Sequence, residues 1–451
     1  MKKNLTLLFA SAFILGFSQK KWSLQECIDH ANQNNLQVIA NQYNKKLQEY
    51  NWQAAKNEHL PSVSANMGNT LNFGQTQGFQ GSIGRNDNFN NSASVAANVV
   101  LYNGGRLSKM VRKSQYDVEA SIYDLETVKN NISLQILQQY LSVLLSKEVL
   151  KINQSALENA QKLYERAKIT TEVGTTAQTV LAEAEAALAR EKQNYKNAEI
   201  NIKRNLFALA QTLQLKDYQN FDVEMILLQD QIQSNETPQI ESIVARSYAQ
   251  QPQIKAYENR LKAAEAQTEV AKTAFLPSVT ASASLSSFYF NSLATDVTGV
   301  DASGNSINEK GFFEQYKTNF SQQLGVSVNI PIFNKGNTKL QVEQAKVNEE
   351  VAKNNLAIQK QELLQNIQKA IFDLEANYEN HLSALEAEKS SKLALDFAEK
   401  SYAAGRATIY DLNTARNNYA TAQGTTAQTK YNFIFSLKML DFYKDGKIEA
   451  F

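Results

Sequence analysis

The sequence predicts a mainly α-helical protein made of two copies of one unit, in which two short strands lead into a long helical hairpin. Three observations predict this fold class: proline and glycine are scarce, the hydrophobic periodicity switches in a fixed order, and that order occurs twice. The 451 residues contain 5 Pro and 17 Gly, and the only glycine between Arg106 and Thr298 is Gly174. Turn-rich sandwiches and Pro/Gly-rich disorder need more of both residues, so long helices remain.

Residues 1–18 predict a secretory signal peptide. Two lysines form a basic start, an apolar run spans residues 5–17, and small residues precede the expected cleavage before Gln19. The run is too short to span a membrane as a helix, and no other apolar run reaches the roughly 18 residues that this requires. The single cysteine, Cys27, follows Glu26 where an acylation signal needs a small residue, so a buried thiol is favoured over a lipid anchor.

Charge and motifs indicate neither an enzyme nor a nucleic-acid-binding protein. The chain has 46 basic and 45 acidic residues, which gives no electrostatic attraction for nucleic acid. One cysteine and three separated histidines give no local support for a metal site, and no phosphate loop or nucleophile elbow occurs. We therefore expect no enzyme activity and no cofactor.

The internal repeat is visible in short matching segments. Leu-Pro-Ser-Val at residues 60–63 recurs at 276–279, and Tyr-Asn-Gly-Gly at 102–105 corresponds to Phe-Asn-Lys-Gly at 333–336. Gly174 corresponds to Gly405, and the spacing places an insertion of about 15 residues between positions 279 and 333 of the second copy. A period of this length indicates a duplicated domain. The predicted division is a signal peptide at 1–18, a first repeat at 19–235 and a second at 236–451.

Each repeat predicts the same elements. Helices end before Pro61 and Pro277, since the residue before a proline is disfavoured in a helix. Strands with apolar and polar residues in alternation follow, and Gly105 and Gly336 lead from the strands into the helical hairpins. The first repeat has helices within 23–59, strands 62–73 and 92–102, and hairpin 106–215. The second has helices within 239–275, strands 278–290 and 319–333, and hairpin 337–443.

The lengths of these elements predict a long helical assembly. Residues 106–171 form a helix of about 100 Å at 1.5 Å per residue. Helices 175–215 and 36–59 together nearly match that length, and the second repeat shows the same relation. Two polar stretches, 74–91 and 291–318, are predicted as loops between the strands.

The strands leave two interpretations open. Four alternating strands on an exported chain match outer-membrane barrels, in which lipid permits no open sheet edge. Four strands are too few to close a barrel, so several copies must associate. The alternative is a small soluble β-layer on a helical rod, as in a secreted coiled-coil scaffold or adhesin without a channel.

The segments quoted above resemble the TolC-like outer-membrane efflux family. The shared features are the Leu-Pro-Ser-Val entry into each first strand, the aromatic-x-x-Gly exit, and the single glycine at each hairpin turn. The resemblance implies a homotrimer with a 12-stranded barrel in the outer membrane of a Gram-negative bacterium and a long periplasmic helical tunnel. It also implies a passive exit duct that works with a periplasmic adaptor and an inner-membrane transporter of the RND or ABC type.

The resemblance also assigns roles to the hairpin turns. Two groups are expected to dock on the adaptor: Val173, Gly174 and Thr175 in the first repeat, and Ala404, Gly405 and Arg406 in the second. Asp411 matches a ring aspartate of the periplasmic gate. Thr414, Arg406, Ile409 and Leu412 complete the predicted gate, while Val180 and Ala407 replace residues of the family's salt-bridge latch. The other interpretation of Asp411 is a first-turn carboxylate that faces the helix dipole.

Overall fold

The computed structural model describes residues 21–77, 83–85, 87–225, 240–293, 299–300, 306–307 and 311–448. The predicted signal peptide, the predicted boundary between residues 235 and 236, and parts of both polar loops lie outside these residues. The chain forms two compact units. The first unit comprises Met1–Lys45, Ala120–Glu258 and Asn355–Phe451; the second comprises Lys46–Glu119 and Asn259–Asn354.

The described residues form helices and short strands in the following order along the chain. The helices are α1 (Leu24–Asn34), α2 (Leu36–Asn57), α3 (Arg106–Glu172), α4 (Gln178–Thr212), α5 (Ile240–Gln250), α6 (Pro252–Lys272), α7 (Phe312–Thr318), α8 (Asn337–Ala403) and α9 (Ile409–Asp445). The strands are β1 (Lys21–Trp22), β2 (Ser62–Asn72), β3 (Gln75–Gln77), β4 (Ile83–Arg85), β5 (Asn88–Tyr102), β6 (Asp222–Val223), β7 (Ser278–Ser292), β8 (Gly299–Val300), β9 (Ser306–Ile307) and β10 (Ser321–Asn329).

The same order of elements occurs twice. Two helices, two long strands and a helical hairpin make up each copy: α1, α2, β2, β5, α3 and α4, then α5, α6, β7, β10, α8 and α9. The two long helices, α3 and α8, have 67 residues each. Among the described residues, no helix is apolar over a length that could cross a lipid bilayer.

Three sequence predictions about the strands need correction. The strand expected at 319–333 is β10, which ends at Asn329 because Pro331 has no backbone N–H to donate. The strand expected at 92–102 is β5, which begins at Asn88. The polar loop expected at 291–318 contains α7, a helix that no hydrophobic periodicity in the sequence predicts.

A single non-helical residue separates the two short helices of each repeat. Ser23 and Glu26 form a capping box at the start of α1, in which each side chain accepts a hydrogen bond from the other residue's backbone N–H. Asn35 interrupts the helix between α1 and α2 in an extended conformation, and its amide nitrogen donates to the carbonyl of Thr212. The equivalent break lies at Gln251, just before Pro252, which starts α6.

The core of the first unit surrounds Tyr140. This side chain is fully buried, and its one hydroxyl proton is shared between two carbonyls, those of Glu224 at 2.9 Å and Trp22 at 3.2 Å. These carbonyls flank the parallel pair β1–β6, so one tyrosine fixes the start of the described chain to a segment about 200 residues later. Cys27 lies in the same core, and burial, with a smaller effect from Glu26, raises the pKa of its thiol to about 12. The cysteine is thus a buried thiol, as the sequence favoured.

The second unit contains an antiparallel sheet in the order β10-β7-β5-β2. A glycine with positive φ precedes each long helix: Gly105 has φ 75° before α3 and Gly336 has φ 78° before α8. The residue before each of them is also left-handed, and it is Gly104 in the first copy but Lys335 in the second. A Cβ at Gly104 would lie 2.8 Å from the Cβ and Cδ1 of Leu276, which explains why this position is glycine.

We expect Gly104→Ala to destabilise the protein, because it adds left-handed strain of about 1–2 kcal/mol and a clash with Leu276. The control is Gly424→Ala within α9, where no neighbouring atom lies within 4 Å of the added methyl. That change should stabilise by up to about 1 kcal/mol through helix propensity. Thermal unfolding of the detergent-solubilised protein, followed by circular dichroism, measures both changes. Equal unfolding temperatures for the two variants would contradict the close packing at Gly104.

Candidate functional site

The sheet of the second unit has one apolar and one polar face. Paired residues on neighbouring strands point the same way, so the register defines rows across the sheet. An apolar row contains Val63, Ala97, Ala283 and Leu324, and the next row contains Ser64, Ala96, Ser284 and Gln323. The large side chains of the apolar face are open in this chain, with Val63 69% and Leu324 86% exposed. This alternation is typical of a wall between lipid and water.

Both outer strands of this sheet lack a partner on one side among the described strands. β2 pairs only with β5, and β10 pairs only with β7. All residues of β2 and nearly all of β10 are exposed. The two edges therefore present backbone N–H and C=O groups that need partners from elsewhere.

The predicted entry and exit residues lie at the ends of these strands. Pro61 and Pro277 directly precede β2 and β7. Gly105 and Gly336 directly precede α3 and α8, and their carbonyls accept the first helical hydrogen bonds, from Lys109 and Leu340. These four residues thus set where each strand begins and where each long helix starts.

The hairpin turns have the geometry that their glycines predict. Gly174 has φ 76° and Gly405 has φ 70°, and each ends a long helix in a left-handed conformation. In the first turn the N–H of Thr175 donates to the carbonyl of Thr170 at 2.9 Å, and in the second Arg406 donates to Ser401 at 2.9 Å. The predicted docking residues around both glycines, including Val173 and Ala404, are exposed.

Behind the turns, side chains of both hairpins pack into a cluster that we call the tip cluster. Its buried members come from α3, α4 and α9: Leu163, Ala167, Ala184, Ile409 and Leu412. Half-buried Val180 packs against the same cluster. The sequence placed Ile409 and Leu412 at the gate, where they would pack around a pore axis. The structure instead buries them within one protomer, with exposures of 4% and 2%, and their part in closure stays a prediction.

Asp411 forms a capping box at the start of α9. Its carboxylate accepts hydrogen bonds from the backbone N–H of Thr408 at 2.9 Å and from the Thr408 hydroxyl at 2.7 Å. In return its own N–H donates to the Thr408 hydroxyl at 3.2 Å. The side-chain hydrogen bond first, and then the backbone one, hold the pKa of Asp411 below its usual value. The carboxylate is exposed, so this helix-start geometry leaves it open to solvent.

The other predicted gate residues are exposed beside Asp411. Arg406 lies in the turn and Thr414 lies one helical turn after Asp411 on α9. The sequence did not identify two ion pairs farther along α9, Arg416 with Glu399 at 2.9 Å and Lys430 with Glu148 at 2.8 Å. The second pair joins α9 to α3, and no local sequence signal could reveal it because the partners lie 282 residues apart.

A groove of about 400 Å³ lies between the helices behind the tip cluster, within the first unit. Arg416 lines it, and the Nε and Nη1 atoms of this guanidinium are buried without a hydrogen-bond partner. Acidic and basic side chains line the groove together, among them Glu388 and Arg190. Within the described ranges, no cluster of His, Cys, Asp or Glu has the geometry of a metal site.

The chain is similar to known outer-membrane proteins in sequence and in fold. It is 25% identical over 390 residues to the pyoverdine export outer membrane protein OpmQ of Pseudomonas aeruginosa, covering 82% of this chain and 74% of OpmQ. It is 21% identical over 441 residues to the outer membrane efflux protein BepC of Brucella suis, covering 95% and 86%. The crystal structure of the CmeC outer membrane channel of Campylobacter jejuni superposes with a TM-score of 0.76 at 20% identity, covering 94% of this chain and 86% of CmeC. The fold is that of an outer-membrane channel.

Residues 27–213 and 244–442 match the family described as outer membrane efflux protein, and the chain belongs to this family. The protein is an outer-membrane efflux channel component with a periplasmic helical portion. The predicted channel is confirmed, and it displaces the alternative of a secreted scaffold. The family and the fold are those of channels, not of enzymes. Members of the family form trimers and work with periplasmic adaptors and inner-membrane pumps.

We expect Leu412→Ala to loosen the tip cluster, because emptying a fully buried leucine site costs about 2–5 kcal/mol. Amide hydrogen exchange should accelerate on both sides of the cluster, around Leu163 and Ala184 as well as at the start of α9. Tyr410→Ala is the matched control, since Tyr410 is the neighbouring residue but is 69% exposed. If exchange at Leu163 and Ala184 is unchanged in Leu412→Ala, the hairpins are not held together by this cluster.

Proposed function

We propose that three copies of the chain close their sheets into one barrel of twelve strands and act as the passive exit duct of a tripartite efflux system. The observation that carries this proposal is the four-stranded sheet with two open edges and with opposite faces of different polarity. Its partners would be two further copies, outer-membrane lipid, a periplasmic adaptor, and an inner-membrane transporter of the RND or ABC type.

The open edges support closure by identical copies. A strand edge in lipid leaves each N–H and C=O unsatisfied at a cost of several kcal/mol, so a membrane sheet must close on itself. The edges belong to different strands, β2 and β10, and a contact between them is therefore head-to-tail. Such a contact forms a ring when the rotation closes. Three four-stranded sheets exceed the roughly eight strands that the smallest barrels need.

Cysteine cross-linking tests this closure. Met67 on β2 and Val326 on β10 lie on the apolar face of opposite edges, and both are exposed. In a panel of double variants that pair Val326→Cys with Cys at Ala65, Met67 or Asn69, one register should give a covalently closed trimer after oxidation. Buried Cys27, with its raised pKa, stays unreactive.

The single variants are the matched controls, because head-to-tail contacts bring β2 to β10 and never β2 to β2. Each single variant should remain monomeric on a denaturing gel. Ala97→Cys with Ala283→Cys joins two strands within one chain and should cross-link without raising the mass. Covalent dimers of a single variant would overturn the head-to-tail arrangement.

The exposed turns around Gly174 and Gly405 support a docking role. Three copies would present six such turns, and the adaptor would contact Val173, Gly174 and Thr175 together with Ala404, Gly405 and Arg406. The left-handed glycines keep the turns short, and the side chains beside them, such as Val173 and Arg406, are exposed. A short, rigid turn is suited to repeated contacts in a ring because its backbone position is fixed.

We also propose that Asp411 from three copies forms the charged ring of the periplasmic gate. The exposed carboxylate at the start of α9 supports this role, and the capping box fixes its direction. Three carboxylates near one axis would attract cations and raise one another's proton affinity, whereas the hydrogen bonds from Thr408 lower it. The balance between the two effects makes the gate sensitive to Thr408.

Asp411→Asn should weaken the cation selectivity of the closed channel and its block by trivalent cations, because the variant keeps the size and removes the charge. Thr408→Ala keeps the charge but removes a hydrogen bond that lowers the pKa, so selectivity should be lost at higher pH than in the parent. Thr408→Ser retains the hydroxyl and should restore the parent titration. Single-channel recordings in planar bilayers measure all three. Unchanged selectivity in Asp411→Asn would leave Asp411 as a helix cap only.

A further inference from the structure

The helix α7 covers a part of the sheet edge that β10 leaves open. β10 has 9 residues and its pairing with β7 ends at Ser286, whereas β7 has 15 residues and continues beside β5 to Ser292. Along this last stretch the side chain of Gln315 binds both backbone polar groups of Phe290, its N–H and its C=O. Its Oε1 accepts from the Phe290 N–H at 3.0 Å, and its Nε2 donates to the Phe290 carbonyl at 2.9 Å. One amide side chain thereby makes the two hydrogen bonds that a neighbouring strand would make with Phe290.

The same helix also crosses onto the apolar face of the sheet. Near this end the face carries polar side chains: Asn69 and Asn91 share a row with Tyr289, and Ser287 lies in the next row beside Ala93 and Met67. The hydroxyl of Tyr316 donates to the Asn91 side-chain oxygen, and the Ser287 hydroxyl donates to the Tyr316 carbonyl at 2.7 Å. Asn91 and Ser287 are consequently buried, with 5% and 8% exposure. The side chains of Asn91 and Ser287 thus form hydrogen bonds with Tyr316 of α7, which lipid could not provide.

Aromatic rings continue from the sheet onto the helix. Phe89 and Tyr289 lie on the apolar face with ring centroids 6.1 Å apart, and Phe312 packs on Tyr289 at 5.0 Å. Phe312 also contacts Phe313 at 5.4 Å and Tyr316 at 4.7 Å. We call Phe89, Tyr289, Phe312, Phe313 and Tyr316 the α7 aromatic cluster. Its outermost ring, Phe313, is 86% exposed, and Lys317 one turn later is exposed on the same side of the helix.

We propose that α7 is a membrane-interface anchor, and that its aromatic cluster binds the lipid of the outer leaflet. This inference rests on the proposed barrel, whose lipid-facing surface is the apolar face that α7 covers. Aromatic side chains favour the boundary between acyl chains and headgroups. The cluster is continuous with that apolar face, its outermost ring has no cover within the described chain, and the adjacent Lys317 suits anionic headgroups. Phe313 enters the acyl-chain boundary while Lys317 reaches the headgroups.

Spin labels on single introduced cysteines measure the surroundings of α7 in the full-length trimer in lipid bilayers. Buried Cys27 does not react, so Phe313→Cys carries the only label, and Lys317→Cys is a second variant that keeps all five rings. Leu324→Cys on the apolar face is the lipid reference. Val173→Cys at a hairpin turn, 71% exposed, is the water reference. Oxygen collides with labels in lipid, and a water-soluble nickel complex collides with labels in water.

The nickel complex should collide with the label at Phe313 severalfold less often than with the label at Val173, and oxygen severalfold more often. The label at Lys317 should collide with each reagent at a rate between those of the labels at Leu324 and Val173. A label at Phe313 that behaves like the one at Val173 overturns the anchor, and so does a label that neither reagent reaches, since a neighbouring copy then covers it. If Leu324 itself behaves like Val173, the sheet is not a lipid-facing wall and the proposed barrel fails instead.

Discussion

The backbone groups along the outer edges of β2 and β10 need hydrogen-bond partners that lipid cannot supply. Polar groups of the sheet can face water only on its serine- and asparagine-rich side, since the opposite face carries Val63, Met67 and Leu324. Both the proposed oligomer and the proposed role of α7 therefore follow from one requirement, which is to pair or cover every sheet edge that enters the membrane. In the proposed barrel β2 and β10 pair with neighbouring copies, whereas the last residues of β7 are covered by α7 of the same chain.

The two helical hairpins meet a different requirement. Their helices are long, and the turns around Gly174 and Gly405 at their ends must still be held in place. The ends of a 67-residue helix alone cannot hold it in position, so its position depends on side-chain packing against other helices along its length. The tip cluster joins the two hairpins just behind the turns, and the Lys430–Glu148 pair joins α9 to α3 farther along. A protomer whose tips are held internally moves both turns together. A gate built from such protomers would open by shifting whole hairpins rather than single side chains.

Features with a local cause could be predicted from the sequence. The alternation of faces in β2 follows from a period of two, and the left-handed turns follow from the isolated glycines at 174 and 405. The strand end near Pro331 also had a local cause that the prediction overlooked. Features that depend on distant partners were missed. Helix α7 has few residues and no period of its own, and it is held by Asn91 and Phe290 rather than by its own propensity.

The candidate gate also contains one feature with a local cause and one that depends on distant residues. The second interpretation of Asp411 from the sequence was a first-turn carboxylate that faces the helix dipole, and the structure adds a capping box with Thr408, which is equally local. The burial of Ile409 and Leu412 depends on residues of α3 and α4, among them Leu163 and Ala184, which lie more than 200 positions earlier in the chain. A pattern within α9 therefore could not tell whether these side chains face a pore or the protomer's own core.

The two repeats differ where their strands differ in length. In the first repeat β5 has 15 residues and is paired with a strand on each side. The loop between β2 and β5 therefore has no open edge of β5 to cover, and it contains the small β3–β4 hairpin. In the second repeat β10 has 9 residues, and the stretch of β7 beyond Ser286 has no strand beside it on that side. The extra residues of the second repeat include α7, which covers this stretch. The insertion therefore supplies what the short strand β10 leaves out, because the amide side chain of Gln315 and the α7 aromatic cluster cover the last residues of β7.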